Sequence, residues 1–139
     1  MRDTGLAAYL TNWTTKDQLK NGAMNGPFFE TFVINEVIKS YINAGKDYTK
    51  YVYYYRGKDK KKINGESEEN EIDFIIEENN TLYPVEIKKN STVKADMASA
   101  FPTLDKDIEK KRGTGVIICT SEYKIKLRDN LYALPIEYI

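Results

Sequence analysis

The sequence contains no histidine and a single cysteine, Cys119. The first absence removes Ser-His-Asp and Cys-His catalysis, the histidine-based zinc hydrolases and imidazole acid–base chemistry generally. The second excludes an internal disulfide and a cysteine-rich zinc site. No apolar run approaches membrane-spanning length, and the opening Met1-Arg2-Asp3-Thr4-Gly5 lacks the apolar stretch of a signal peptide. The expected compartment is the cytoplasm. Nor is there an excess of either charge. The 21 basic and 21 acidic residues cancel, so nucleic-acid contact would have to rest on a local patch. Any chemistry falls to carboxylates, lysines and a hard metal ion.

What is present is the mix of one globular domain: 139 residues, 41% hydrophobic and 30% charged. Residues 3–22 read as one or two short helices, with Thr14 or Thr15 as N-cap of the second. Phe28 to Ile42 is the longest helical candidate, stopped by Asn43-Ala44-Gly45. Its apolar residues run almost round the helix, which predicts burial on several sides. From Lys50 to Arg56 the signal changes to strand. Residues 57–70 are charged and glycine-punctuated and read as an exposed loop. Glu71–Glu77 and Leu82–Lys88 are the next strands, and Leu104–Arg112 reads as a short basic-ended helix. Gly115–Cys119 and Leu131–Ile136 close the series as strands. The expected architecture is α/β: a mixed sheet with a three-strand antiparallel part, flanked by helices.

The hairpin 71–88 carries the chemistry. With Asn79-Asn80 as a type I′ turn, Glu78 faces Thr81, Asp73 faces Glu86 and Glu71 faces Lys88. Alternation then puts Glu71, Asp73, Glu86 and Lys88 on one face. Ile72, Phe74, Ile76, Tyr83, Val85 and Ile87 share the other. Opposed carboxylates repel unless a proton or cation lies between them. Mg²⁺ suits the place, because it takes oxygen ligands, few of them from protein. Lys88 would orient water or meet developing phosphoryl charge. The same four residues also fit an ion-paired solvated face. Spacing alone leaves both readings open.

Asp73 followed by Glu86-Ile87-Lys88 looks like the D…ExK signature of the PD-(D/E)XK nuclease superfamily. The text around it, Asp3-Thr4-Gly5-Leu6, Gly26-Pro27-Phe28-Phe29-Glu30-Thr31-Phe32-Val33, Glu71-Ile72-Asp73-Phe74 and Pro84-Val85-Glu86-Ile87-Lys88, resembles more. It is similar to the domain of unknown function that follows the ATPase module in many prokaryotic AAA-type ATPases. The resemblance implies a restriction-endonuclease-like core over residues 26–139, behind a helical extension over 1–25. It implies Mg²⁺ or Mn²⁺ held by Asp73, Glu86 and the Ile87 carbonyl, with Lys88 as the catalytic lysine. It further implies a glutamate from the first core helix. Glu30 fits that pattern and Glu36 is second, but six residues apart they cannot share a helix face. The implied partners are the ATPase module of the same parent chain and DNA. No GxxxxGK[ST] loop occurs in the sequence, so ATP hydrolysis would belong elsewhere, and the chain reads as a C-terminal piece. The implied activity is Mg²⁺-dependent phosphodiester hydrolysis; the competing expectation is a docking or regulatory module without chemistry.

Three further features have plainer readings. Tyr51, Tyr53 and Tyr55 fall on one strand face, where they suit either stacking on bases or half-buried packing. The lysines at 58–62 and Lys110-Lys111-Arg112 suit phosphates or a solvated loop. Cys119 closes an apolar strand as a small buried hydrophobe.

Overall fold

A computed structural model of the chain describes residues 3–58, 69–106 and 109–139. The lysines from 59 to 62, and most of the loop expected over 57–70, lie outside these residues. Three helices come first: α1 Thr4–Leu10, α2 Lys16–Asn21 and α3 Asn25–Asn43. Asp3 caps α1 by accepting from the Leu6 N–H at 2.9 Å. A reciprocal Thr15–Gln18 capping box starts α2. Pro27 sits in the first turn of α3, where a missing N–H costs nothing. At the other end Gly45 adopts φ +69°, and the Lys46 N–H reaches back to the Tyr41 carbonyl at 2.9 Å. No described helix is long and apolar enough to cross a membrane.

The strands are β1 Val52–Lys58, β2 Glu69–Glu78, β3 Thr81–Ile87, β4 Lys111–Arg112, β5 Gly115–Cys119, β6 Ile125–Arg128 and β7 Leu131–Pro135. They form one mixed, open sheet in the order β1-β2-β3-β5-β7-β6, with the short β4 also on β3. Antiparallel β1, β2 and β3 adjoin a parallel β3-β5-β7 stretch, and β6 returns antiparallel on the edge. The mixed α/β architecture agrees with the expectation. Two apolar clusters sandwich the sheet. Val33 and Val37 of α3 meet Phe74, Val85, Ile87 and Ile118 on one face. On the other, Ile72, Ile75, Leu82, Ile117 and Ala133 pack under the 3-10 helices Ala95–Ala98 and Phe101–Lys106. Each fully buried aliphatic side chain contributes about 1.5–3 kcal/mol. Gly115 is required beneath Phe101, whose ring lies 2.6 Å from where a Cβ would stand.

Several expectations change. Helix α3 buries Val33 and Val37 against the sheet and Asn35 on another side, as expected, but its apolar cover is incomplete, leaving Phe32 41% and Ile42 48% exposed. The helix expected over Leu104–Arg112 is absent from its described part. Phe101–Lys106 is 3-10, and Lys111 and Arg112 pair instead with Thr81 and Leu82 on the free edge of β3. Arg112 then forks onto Asp105 at 2.7 and 2.9 Å. The β1–β2 hairpin runs further than expected, to Lys58↔Glu69. Tyr51 leaves the tyrosine face and stacks on Tyr41 at 5.5 Å between centroids. Cys119 is fully buried.

The β2–β3 turn matches the sequence reading. Asn79 and Asn80 have φ +50° and +61°, and Glu78 pairs with Thr81. A β-branched residue is strained in that backbone region. Asn79→Val is therefore expected to cost about 1–2 kcal/mol, and Asn79→Gly close to nothing, as read from urea-unfolding midpoints.

Candidate metal centre

Register places the site. From Glu78↔Thr81 to Phe74↔Val85 the β2–β3 ladder runs as the sequence predicts, and then it ends. The cause lies on the other side of β2. Tyr53 pairs with Ile75 but Tyr55 with Ile72, so Asp73 and Phe74 together oppose Tyr54. This is a β-bulge in β2, which kinks the strand and re-aims a side chain. The alternation slips by one residue. Ile72 joins Ile75 in one core cluster, while Phe74 lies in the other. The single apolar face expected for Ile72, Phe74 and Ile76 is thereby corrected. Glu71, paired with Arg56 next to Tyr55↔Ile72, turns toward the α3 side, where Tyr54 donates a hydrogen bond to it.

Past the bulge, Asp73 takes over the ladder's work. The Ile87 N–H donates to its Oδ2 at 2.6 Å. The next N–H, of Lys88, donates to Ile118 of β5 at 2.9 Å. N–H and C=O of one strand residue leave on the same side, so the Ile87 carbonyl also faces β2. A notch opens where β2 and β3 part. It encloses 480 Å³, lined by Glu30, Asn70, Glu71, Asp73, Glu86, Lys88, Met97, Ser99 and Ala100. Of the residues expected at the site, Ile87 is not among the notch's lining, whereas Glu30, Asp73, Glu86 and Lys88 line one cleft. Glu36 does not; it pairs with Lys39 at 2.7 Å. Glu71, expected beside Asp73, Glu86 and Lys88, lines the cleft too, whereas Asn70 and the 97–100 segment were not expected there. The 97–100 segment has no periodicity from which its path could be read.

Four carboxylates face one ammonium in this notch. Glu86 is 7% exposed, and its Oε1 lies 2.5 Å from Lys88 Nζ. Burial pushes the Glu86 carboxyl up to about 7, with Asp73 and Glu30 adding to the rise and Lys88 opposing it. Burial also raises Asp73, against the Ile87 N–H and Lys88, with Glu71 adding to it. Glu30 is raised by burial and then by Asp73 and Glu71. For Lys88 burial pulls downward, but Glu86, Asp73 and Glu30 together hold it above its ordinary value.

The family model for a domain of unknown function, DUF4143, matches residues 25–139. The chain belongs to that family. No curated protein and no solved structure matches it. The DUF4143 match starts at the first residue of α3 and includes every residue lining the notch.

Among the described residues, no group of three or more carboxylates stands in ligating geometry. A cation here would rest on two carboxylates, Asp73 and Glu86, with the Ile87 carbonyl and water. That donor set fits Mg²⁺, which binds through one or two carboxylates and keeps several waters. All of these donors are hard oxygens, with no nitrogen or sulfur among them.

Metal-free protein should show the raised carboxyl in its stability. Between pH 4.5 and about 7, folded Glu86 holds a proton that the unfolded chain has released. Stability contributed by this group is full below that window and is lost as pH rises through it. In chelating buffer, Glu86→Gln is expected to flatten this fall and to gain on wild type above pH 7. Urea unfolding of both proteins from pH 4 to 8 checks it; parallel curves would show that Glu86 titrates normally.

Proposed function

We propose that this DUF4143 domain is a Mg²⁺- or Mn²⁺-dependent phosphodiesterase module with a restriction-endonuclease-like core, attached to an AAA-type ATPase and acting on nucleic acid. One observation carries the reading: two desolvated carboxylates, Asp73 and Glu86, share an open notch with Lys88 and are both raised. Such crowding favours a cation or a proton in the notch. The order Asp73…Glu86-Ile87-Lys88, with Glu30 from α3, supports the same choice through its likeness to the PD-(D/E)XK signature.

A bound divalent ion would supply charge to the phosphoryl oxygens and acidify a water. The chain's own contribution is positional. Asp73 is fixed by the Ile87 N–H through Oδ2, which leaves Oδ1 for a ligand. Glu86 is anchored in a strand held by its neighbours on both sides. Lys88 is cationic and half-exposed at the mouth, able to donate to a non-bridging phosphoryl oxygen or to the attacking water. Glu30, with its raised carboxyl, is suited to take the proton that water releases.

A second reading is favoured by the Glu86–Lys88 ion pair, which satisfies the site internally. On that reading the domain docks on or regulates its ATPase without chemistry.

Thermal melts separate the cation from the proton. Wild type is expected to gain stability with Mg²⁺ or Mn²⁺, by about 2.7 kcal/mol at a hundred times Kd. Asp73→Asn is expected to be at least as stable without metal and indifferent to it. A wild-type melt unmoved by either ion would refute the site. Cleavage assays then separate chemistry from docking. Lys88→Ala is expected to keep metal stabilisation and lose roughly 10²–10³ in cleavage rate. If neither protein cleaves DNA or RNA while the domain binds its ATPase module, the docking reading stands.

A further inference from the structure

A second and larger cleft, of 610 Å³, lies on the sheet face that carries Glu86, among Tyr53, Tyr55, Leu82, Glu77, Lys106 and Lys110. Its size falls in the range of about 300–1,000 Å³ typical of small-ligand sites. Tyr53 is 42% exposed, and its hydroxyl donates to the Lys50 carbonyl at 3.0 Å. The ring is thereby held in place with much of its surface open. Tyr55 packs on the core beside it. At the rim, Lys110 Nζ sits 2.7 Å from Glu77, and its side chain stays partly open to solvent.

The combination restricts the ligand. A simple anion has no use for an apolar, aromatic floor, and a neutral apolar molecule has none for a rim that holds Lys106 beside the Lys110–Glu77 pair. An aromatic ring carrying an anionic group uses both. The cleft also lies in line with the notch. Leu82 and Glu86 share a face of β3 four residues apart, about 13 Å along a strand. Asn70 of the notch donates to Thr103 of the second cleft at 3.4 Å.

We infer that this second cleft takes an unstacked nucleobase, with its phosphate at the lysine rim, from a single strand that continues into the carboxylate notch. The inference rests on the nucleic-acid reading above and adds the strand type. A base in a duplex is stacked and paired and cannot enter without being extruded, which costs a few kcal/mol. The preferred substrate is therefore single-stranded or frayed at its end.

Binding in chelating buffer tests this apart from hydrolysis. A fluorescein-labelled mixed-sequence oligonucleotide, its duplex and adenosine monophosphate as competitor are titrated with the full chain, and binding is read by anisotropy. The single strand is expected to bind more tightly than the duplex. Tyr53→Ala is expected to weaken single-strand binding by roughly tenfold, and Tyr53→Phe to hold near wild type. Lys110→Gln is expected to weaken it and reduce its salt dependence. Tyr123→Ala, which removes a tyrosine lining neither cleft, serves as control. Single-strand binding unchanged by Tyr53→Ala and Lys110→Gln overturns the inference. So does equal affinity for duplex, or adenosine monophosphate binding as tightly as the strand. Tyr53-dependent binding in a chain that ignores Mg²⁺ would overturn the metal reading and leave this one. Mg²⁺ stabilisation without any Tyr53 dependence would do the reverse.

Discussion

At Asp73 the sheet stops pairing backbone with backbone and pairs backbone with a carboxylate. The bond from the Ile87 N–H to Asp73 Oδ2 closes β2 onto β3 after the bulge has pulled their main chains apart. Without that acceptor, an N–H between two core strands would lose its partner, at a cost of about 1–3 kcal/mol. With it, the strands part far enough to admit Glu30 from one side of the sheet and the 97–100 segment from the other. The two core clusters follow from the same slip, since it sends Ile72 and Phe74 to opposite faces.

The notch and the core therefore make opposing demands on neighbouring residues. Val85 and Ile87 are buried against α3, while Glu86 between them is nearly as buried with a charge to accommodate. Lys88 is the local remedy, and it is a partial one, since the Glu86 carboxyl still rises to about 7. Uncompensated acid of this kind is common where a site awaits a ligand. Glu36 on the same helix as Glu30 shows the contrast. It pairs with Lys39 one turn away and takes no part in the notch.

The sequence revealed the hairpin because its turn chemistry and its alternation agreed. Asn79-Asn80 set the register, and five successive pairs follow from it. It also brought Asp73, Glu86 and Lys88 to one place, and the family resemblance added Glu30. It could not reveal the bulge, because Glu-Ile-Asp-Phe-Ile-Ile reads as regular alternation whether or not a residue is looped out. That one hidden residue accounts for the misplaced Ile72 and for Glu71 turning to the α3 side. The short strand Ile125–Arg128 alternates apolar and charged residues, yet four residues on an edge give little pattern to read. At Lys111-Arg112 the open edge of β3 outweighed a basic segment's weak helical preference, a tertiary effect that local sequence does not carry.

The two-residue turn at Asn79-Asn80 also bears on the order in which the molecule assembles. Joining β2 to β3 closes a very short loop, and hairpins of this kind form in about 1–10 μs. The parallel pairing of β3 with β5 must instead bring Val85 to Val116 across some thirty residues, several of them without regular structure. Loop length thus favours an early meeting of Asp73 and Glu86, while water still screens them. The desolvation of their charges is deferred until β5 joins the edge of β3 and the 95–106 segment closes over that face. The electrostatic burden of the notch then falls on the last steps of folding and leaves the nucleating hairpin unhindered.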